Sequence, residues 1–133
     1  MRGEELPGVK KKSFSMYFDG GEIWFEHLDG IYDYTELALE KLERDYLQFK
    51  RPSLPSLIAV NLDHTYIDDS LIRSLAEKLL DNSKRFTRAV FVGTDKKARA
   101  KIRKAVSGGG FAFAFIDDFE QAKKWLVSEK YRY

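Results

Sequence analysis

The chain has 133 residues, a length that suits one domain with one core. Its 44% hydrophobic and 14% aromatic residues supply that core, and the absence of cysteine excludes a disulfide framework, thiolate metal ligation and a cysteine nucleophile. Twenty-three Lys and Arg against 21 Asp and Glu leave a formal charge of +2, too small to name a polyanionic partner, and two histidines are too few for a histidine-rich metal centre.

Residues 1–12 (MRGEELPGVKKK) are charged, contain Gly and Pro and lack periodicity, which predicts a mobile arm ahead of a single domain over 13–133. They also lack the apolar centre of a secretory signal, and no apolar run approaches the roughly 18 residues of a membrane span. The expectation is a soluble, cytoplasmic protein without a membrane span.

Two β-prone runs follow, 14–18 (FSMYF) and 22–28 (EIWFEHL), separated by Asp19-Gly20-Gly21, residue types that tolerate the positive φ of a tight hairpin turn. Phe14, Met16 and Phe18, with Ile23 and Phe25, should face inward, and Trp24 the opposite way. Asp33 and Glu36 have the spacing of a capping box, predicting a helix to about Lys50 with Leu39, Leu42, Tyr46 and Phe49 on one stripe and Glu40, Lys41, Glu43 and Arg44 in water. Residues 56–62 (SLIAVNL) are nearly continuously apolar, the pattern of a central strand covered on both faces. After 63–68, a second helix carries Leu71, Ile72, Leu75, Ala76, Leu79 and Leu80, capped by Asp68 or Asp69. Residues 88–93 (RAVFVG) form the next buried strand, and Thr94 or Asp95 caps a third helix with Ala98, Ile102 and Ala105 inward and six basic residues outward. Residues 107–110 (SGGG) end it, 111–116 (FAFAFI) make a last strand, and Asp117 with Glu120 repeats the capping-box spacing before a final helix bearing Phe119, Ala122 and Leu126. Each helix after the hairpin links strands that are most simply parallel. The fold class is therefore α/β: a mixed five-stranded sheet, mostly parallel, with an N-terminal antiparallel hairpin and four helices.

The loop Asp63-His64-Thr65-Tyr66-Ile67-Asp68-Asp69-Ser70 sits where a central strand hands over to a helix. Ligand sites of open α/β sheets gather at the carboxyl ends of strands, so Asp63, His64, Asp68, Asp69 and Ser70 have the best positional claim to function. Ser70 could accept a phosphate near a helix N-terminus, although its acidic neighbours oppose that, and simple capping also accounts for Asp68, Asp69 and Ser70. A Ser-His-Asp hydrolase built from Ser70, His64 and Asp63 is disfavoured because no nucleophile-elbow glycines flank the serine. Lys96, Lys97, Arg99, Lys101, Arg103 and Lys104 could meet phosphates, but no aromatic residues interleave them and a solvated outer face explains them, so nucleic acid is not the expected partner. The triple glycine follows a helix and precedes a strand, the reverse of a phosphate-cradling loop. His27 lacks the partners of a metal site. Trp24, Trp125 and the Tyr131-Arg132-Tyr133 tail are better placed to pack than to form a patch. No motif calls for a cofactor or metal, no catalytic set stands out, and a phosphoacceptor role for Asp63 lacks the acidic pair and the lysine that receiver domains supply.

The element order, with the SLIAVNL strand, the Tyr66-Ile67-Asp68-Asp69-Ser70 loop and the RAVFVG strand, resembles the STAS domain of bacterial anti-sigma-factor antagonists, and more closely the SpoIIAA-like group of small stand-alone proteins, over residues 14–127. In the antagonists a strand-to-helix loop carries Asp-Ser-Ser-Gly, and a kinase phosphorylates a serine there. Laid on Asp68-Asp69-Ser70-Leu71, that pattern puts Asp69 at the first serine, Ser70 at the second and Leu71 at the glycine. The resemblance implies a permanent charge at Asp69 and leaves Ser70 as the one hydroxyl open to phosphorylation. It further implies binding or regulation rather than catalysis, and with the position of the loop this gives the expectation of a non-enzymatic regulatory or binding module that engages a partner protein or a small anionic ligand at residues 63–71; a homodimer is compatible with the sequence but not indicated by it. A likeness to lipid-carrier domains, together with the aromatic hairpin and Phe111, Phe113 and Phe115, supplies the alternative of a carrier for an apolar molecule.

Overall fold

The computed structural model describes residues 11–51 and 55–128. The expected arm lies outside them except for Lys11 and Lys12, as does the Tyr131-Arg132-Tyr133 tail. β1 (Phe14–Phe18) and β2 (Gly21–His27) are joined by Asp19 and Gly20, both at positive φ (47° and 85°), the combination of a type I′ hairpin turn. β2 then pairs in parallel with β3 (Leu57–Asn61), β3 with β4 (Arg88–Val92) and β4 with β5 (Ala112–Phe115), so that spatial order equals chain order. α1 (Thr35–Phe49), α2 (Asp69–Asp81) and α3 (Lys96–Val106) are the crossovers, and α4 (Phe119–Val127) follows β5. The element order, fold class and hairpin match the expectation from sequence.

Crossovers that keep one hand and always step the same way along a sheet must put their helices on one face. That face buries Trp24, Ile58, Val60, Ala89 and Phe91 against Leu42 and Phe49 of α1, Leu75 and Leu79 of α2 and Ile102 of α3. The opposite face buries Ile23, Phe25, Ala59, Val90 and Val92 against Ala122, Leu126 and Val127 of α4. Alternate residues of β3 thus enter different cores, which is why its sequence is apolar throughout. No helix of the described residues is long and apolar enough to cross a membrane.

Four local expectations are corrected. Asp33 does not cap α1: the N-cap is Tyr34, without a side-chain cap bond, because a bridge between Tyr32 and Thr65 and backbone turns over 31–35 govern the approach. Asp117 does not cap α4: Asp118 does, accepting from Glu120 N and Gln121 N, while Asp117 accepts from Gly93 N and Arg99. Lys41 is buried, with 2% exposure, rather than in water, its ammonium held by Asp45 and Ser13. Phe14 and Met16 point to the α4 face as expected but remain 42% and 41% exposed on the edge strand β1, whose Phe18 is the residue that packs against the α4 core.

Candidate functional site

β3 and β4 are neighbours and parallel, so the loops that leave their carboxyl ends start α2 and α3 side by side. Asp68 caps α2, its Oδ1 accepting from Leu71 N (2.8 Å), and Asp95 caps α3, its Oδ1 accepting from Ala98 N (2.8 Å). Between the two helix starts lies an open cleft of about 590 Å³, lined by Tyr66, Asp68, Asp69 and Ser70 from the β3–α2 side and by Gly93, Lys97 and Lys101 from the β4–α3 side. Because the strand order never reverses, this is not the switch-point crevice of a doubly wound sheet. Its walls are the first turns of the two helices, with the Gly93 turn in its lining.

Asp69 Oδ1 accepts from Lys101 Nζ (2.7 Å) between the two helices. This hydrogen bond and the attraction of the charges hold the Asp69 carboxyl below its ordinary range and raise the Lys101 ammonium. Ser70 is exposed in the cleft wall, and capping falls to Asp68 alone. Tyr66, 62% exposed, forms a lip. Gly93 has a φ of +82°, and a Cβ there would meet Asp63 N and Oδ1 at 2.5 Å.

The five residues singled out from sequence divide. Asp68, Asp69 and Ser70 come together in the cleft, whereas Asp63 and His64 are outside its lining. Asp63 N donates to Asn61 Oδ1 (3.0 Å) and its carbonyl accepts from Gly30 N (2.7 Å). His64, at a φ of 56°, accepts at its carbonyl from Tyr32 N (2.7 Å), with the two rings 6.4 Å apart. These two residues tie the β3–α2 loop to the β2–α1 loop. Sequence reasoning gave Gly93 no role and considered Lys97 and Lys101 only as part of a basic helix face, not as partners of the β3–α2 loop. The signal was present: a glycine closing RAVFV, and two lysines four apart on the helix already noted as basic.

The other constellations are occupied by packing. Arg99 and Arg103 lie over the Phe115 ring (5.9 and 5.2 Å), and Arg99 also pairs with Asp117 (2.9 Å). Phe111, Phe113 and Phe115 pack edge-on in sequence (6.5 and 6.1 Å) and do not line the cleft. Trp24 and Trp125 belong to opposite faces of the sheet. His27 stacks on Phe14 (5.6 Å) and meets Asp29 through Nδ1 (3.2 Å). Burial alone would raise the Asp29 carboxyl, but hydrogen bonds from His27 and Lys11 outweigh it and hold the pKa at about 2. Among the described residues no His, Asp or Glu group is arranged to hold a metal ion.

No family model and no curated protein significantly matches this chain. The crystal structure of an uncharacterized protein of the DUF3478 family with a SpoIIAA-like fold, from Shewanella loihica PV-4, superposes on it with a TM-score of 0.58 at 12% identity. The match covers 87% of this chain and 93% of that one. This chain has a SpoIIAA-like fold. At that identity the likeness concerns the path of the backbone. In the SpoIIAA-like sheet of this protein, the cleft at α2 and α3 is where the loops that follow β3 and β4 open to solvent.

Proposed function

We propose that this protein is a cytoplasmic, non-enzymatic binding module that engages a partner protein at the cleft between the N-termini of α2 and α3. The observation that carries this reading is the composition of the cleft: an exposed Tyr66 at its lip, next to a charged rim in which Asp69 and Lys101 pair across the opening. Tyrosine offers a large contact area at low entropic cost and is enriched among residues that dominate protein interfaces. Three aspartates and two lysines line the cleft, a near balance that suits a polypeptide of mixed charge better than a strongly charged ligand. A general base beside a nucleophile is what hydrolysis would need, and His64 is turned away from Ser70 toward Tyr32.

A second reading, a small anion, draws on the free amide groups of two helix N-termini together with Lys97 and Lys101. The carrier alternative has less support, since its phenylalanines pack on each other and on α3.

The two leading readings separate in one set of experiments. A photo-crosslinking amino acid at position 97, exposed on the facing wall of the cleft, should capture a discrete protein partner in the source cell. Tyr66→Ala and Asp69→Lys should each reduce that capture at least tenfold without lowering the melting temperature. Crosslinking indifferent to both substitutions would refute the partner reading. Amide shifts at Ser70 and Lys97 that saturate on titration with inorganic phosphate, in the absence of any crosslinked protein, would establish the anion reading instead.

A further inference from the structure

β2 carries a carboxyl group into the core. Glu26 is 0% exposed and lies on the face of β2 that α1 covers, between Trp24 and Leu28, with Val60 beside it on β3. Trp24 Nε1 donates to its Oε1 (2.9 Å), and Oε2 receives no donor from the described residues. A second acid, Asp45 of α1, faces the carboxyl near enough for each to influence the other's ionisation. Asp45 Oδ2 accepts in addition from Ser13 Oγ (2.8 Å) and from the buried Lys41 Nζ (2.9 Å).

An ionised carboxylate only accepts, so a hydrogen bond between two carboxyl groups requires a proton on one of them. Asp45, served by a hydroxyl and an ammonium, is the group stabilised as an anion. Glu26, with a single indole donor and apolar surroundings, is the group stabilised as an acid. A proton on Oε2 resolves both anomalies, giving the orphan oxygen a role as donor and Asp45 a third donor.

We infer that Glu26 is a buried proton-holding site, neutral in the folded protein at neutral pH, whose O–H ties β2 to α1 through Asp45, so that its ionisation loosens the seam between the hairpin and α1. Burial, and then the neighbouring Asp45, push Glu26 well above its ordinary value, whereas for Asp45 the bonds from Glu26, Lys41 and Ser13 outweigh burial and lower it. The charged groups that face Glu26 are Lys41 and Asp45 of α1. β3 brings Val60, and the residue before β1 brings Ser13, neither of which titrates.

The sign follows from linkage. A carboxyl raised on folding contributes stability that is complete below its unfolded pKa, near 4.3, and is lost as pH rises through its folded pKa. Glu26→Gln keeps an acceptor for Trp24 and a donor for Asp45 but cannot ionise. Between pH 5 and pH 7 the folding constant of the wild type, divided by that of Glu26→Gln, should fall about tenfold per pH unit. The carboxyl carbon of Glu26, followed by NMR in the folded wild type, should keep the shift of a neutral acid through pH 7. A ratio that does not change with pH, or a Glu26 resonance that titrates near 4.3, overturns the inference. If Glu26→Gln does not fold, the titration of the wild type, assigned through bonds, decides it alone.

Discussion

Gly93 shows how one residue holds two loops in place. Its left-handed backbone ends β4, and the absence of a Cβ lets Asp63 approach to a distance that no side chain permits. Gly93→Ala should therefore cost more than the roughly 1–3 kcal/mol of a strained backbone alone, because Asp63 must also move. Urea unfolding measures this, and a loss within or below that range would contradict it. Residue-scale features were legible where the chemistry is local. Asp68 and Asp95 cap helices because each is followed by three residues that place an amide within reach of its carboxylate. The same rule fails at Asp33 and Asp117. In Asp117-Asp118 two equivalent acids compete, and the distant Gly93 amide and Arg99 take the first of them. Lys41 was misplaced for a related reason: its pattern position faces outward, but the carboxyl it serves comes from the next turn and the neighbouring Glu26 from a strand.

At the scale of elements, α1 is held by one aromatic anchor. Phe49, at its last turn, is fully buried against Trp24 (6.1 Å), Tyr46 (5.1 Å) and Phe86 (6.3 Å), joining β2, α1 and the turn before β4. Phe49→Ala should destabilise the fold by roughly 3–5 kcal/mol, read from chemical denaturation. A second link on this helix, Lys78 of α2 with Glu43, is closed at one end and open to water at the other, so it adds little to that anchor. The elements were legible almost to the residue, since β3 and β4 are apolar on both faces and α2 shows a wide stripe. Less legible was the edge. Alternation along β1 gives the side that Phe14 and Met16 face, but not that they remain exposed while Phe18 packs against the α4 core, because helix placement is a property of the whole sheet.

The molecule as a whole should respond to acid through a carboxyl outside the cleft lining. Asp29, held at about 2 by His27 and Lys11, contributes stability that is present above its unfolded pKa near 3.9 and is lost as pH falls through about 2. Asp45 acts in the same direction. Urea midpoints measured from pH 5 to pH 2 should fall for the wild type and fall less steeply for Asp29→Asn; parallel curves would remove Asp29 from the account. The candidate cleft was half legible at this scale. Asp68, Asp69 and Ser70 were placed by their strand-to-helix position, while Lys97 and Lys101 join them only because α2 and α3 start side by side.

The coincidence of spatial order with chain order bears on how the protein is made. As the chain leaves the ribosome, each strand after β2 emerges next to a neighbour already in place, and α1, α2 and α3 can settle in turn. Ile23, Phe25, Ala59, Val90 and Val92 have no such early cover; their partner is α4, nearly a hundred residues after the first of them. Until α4 has left the ribosome and packed, the nascent sheet thus exposes one bare apolar side, a surface for chaperones or for aggregation.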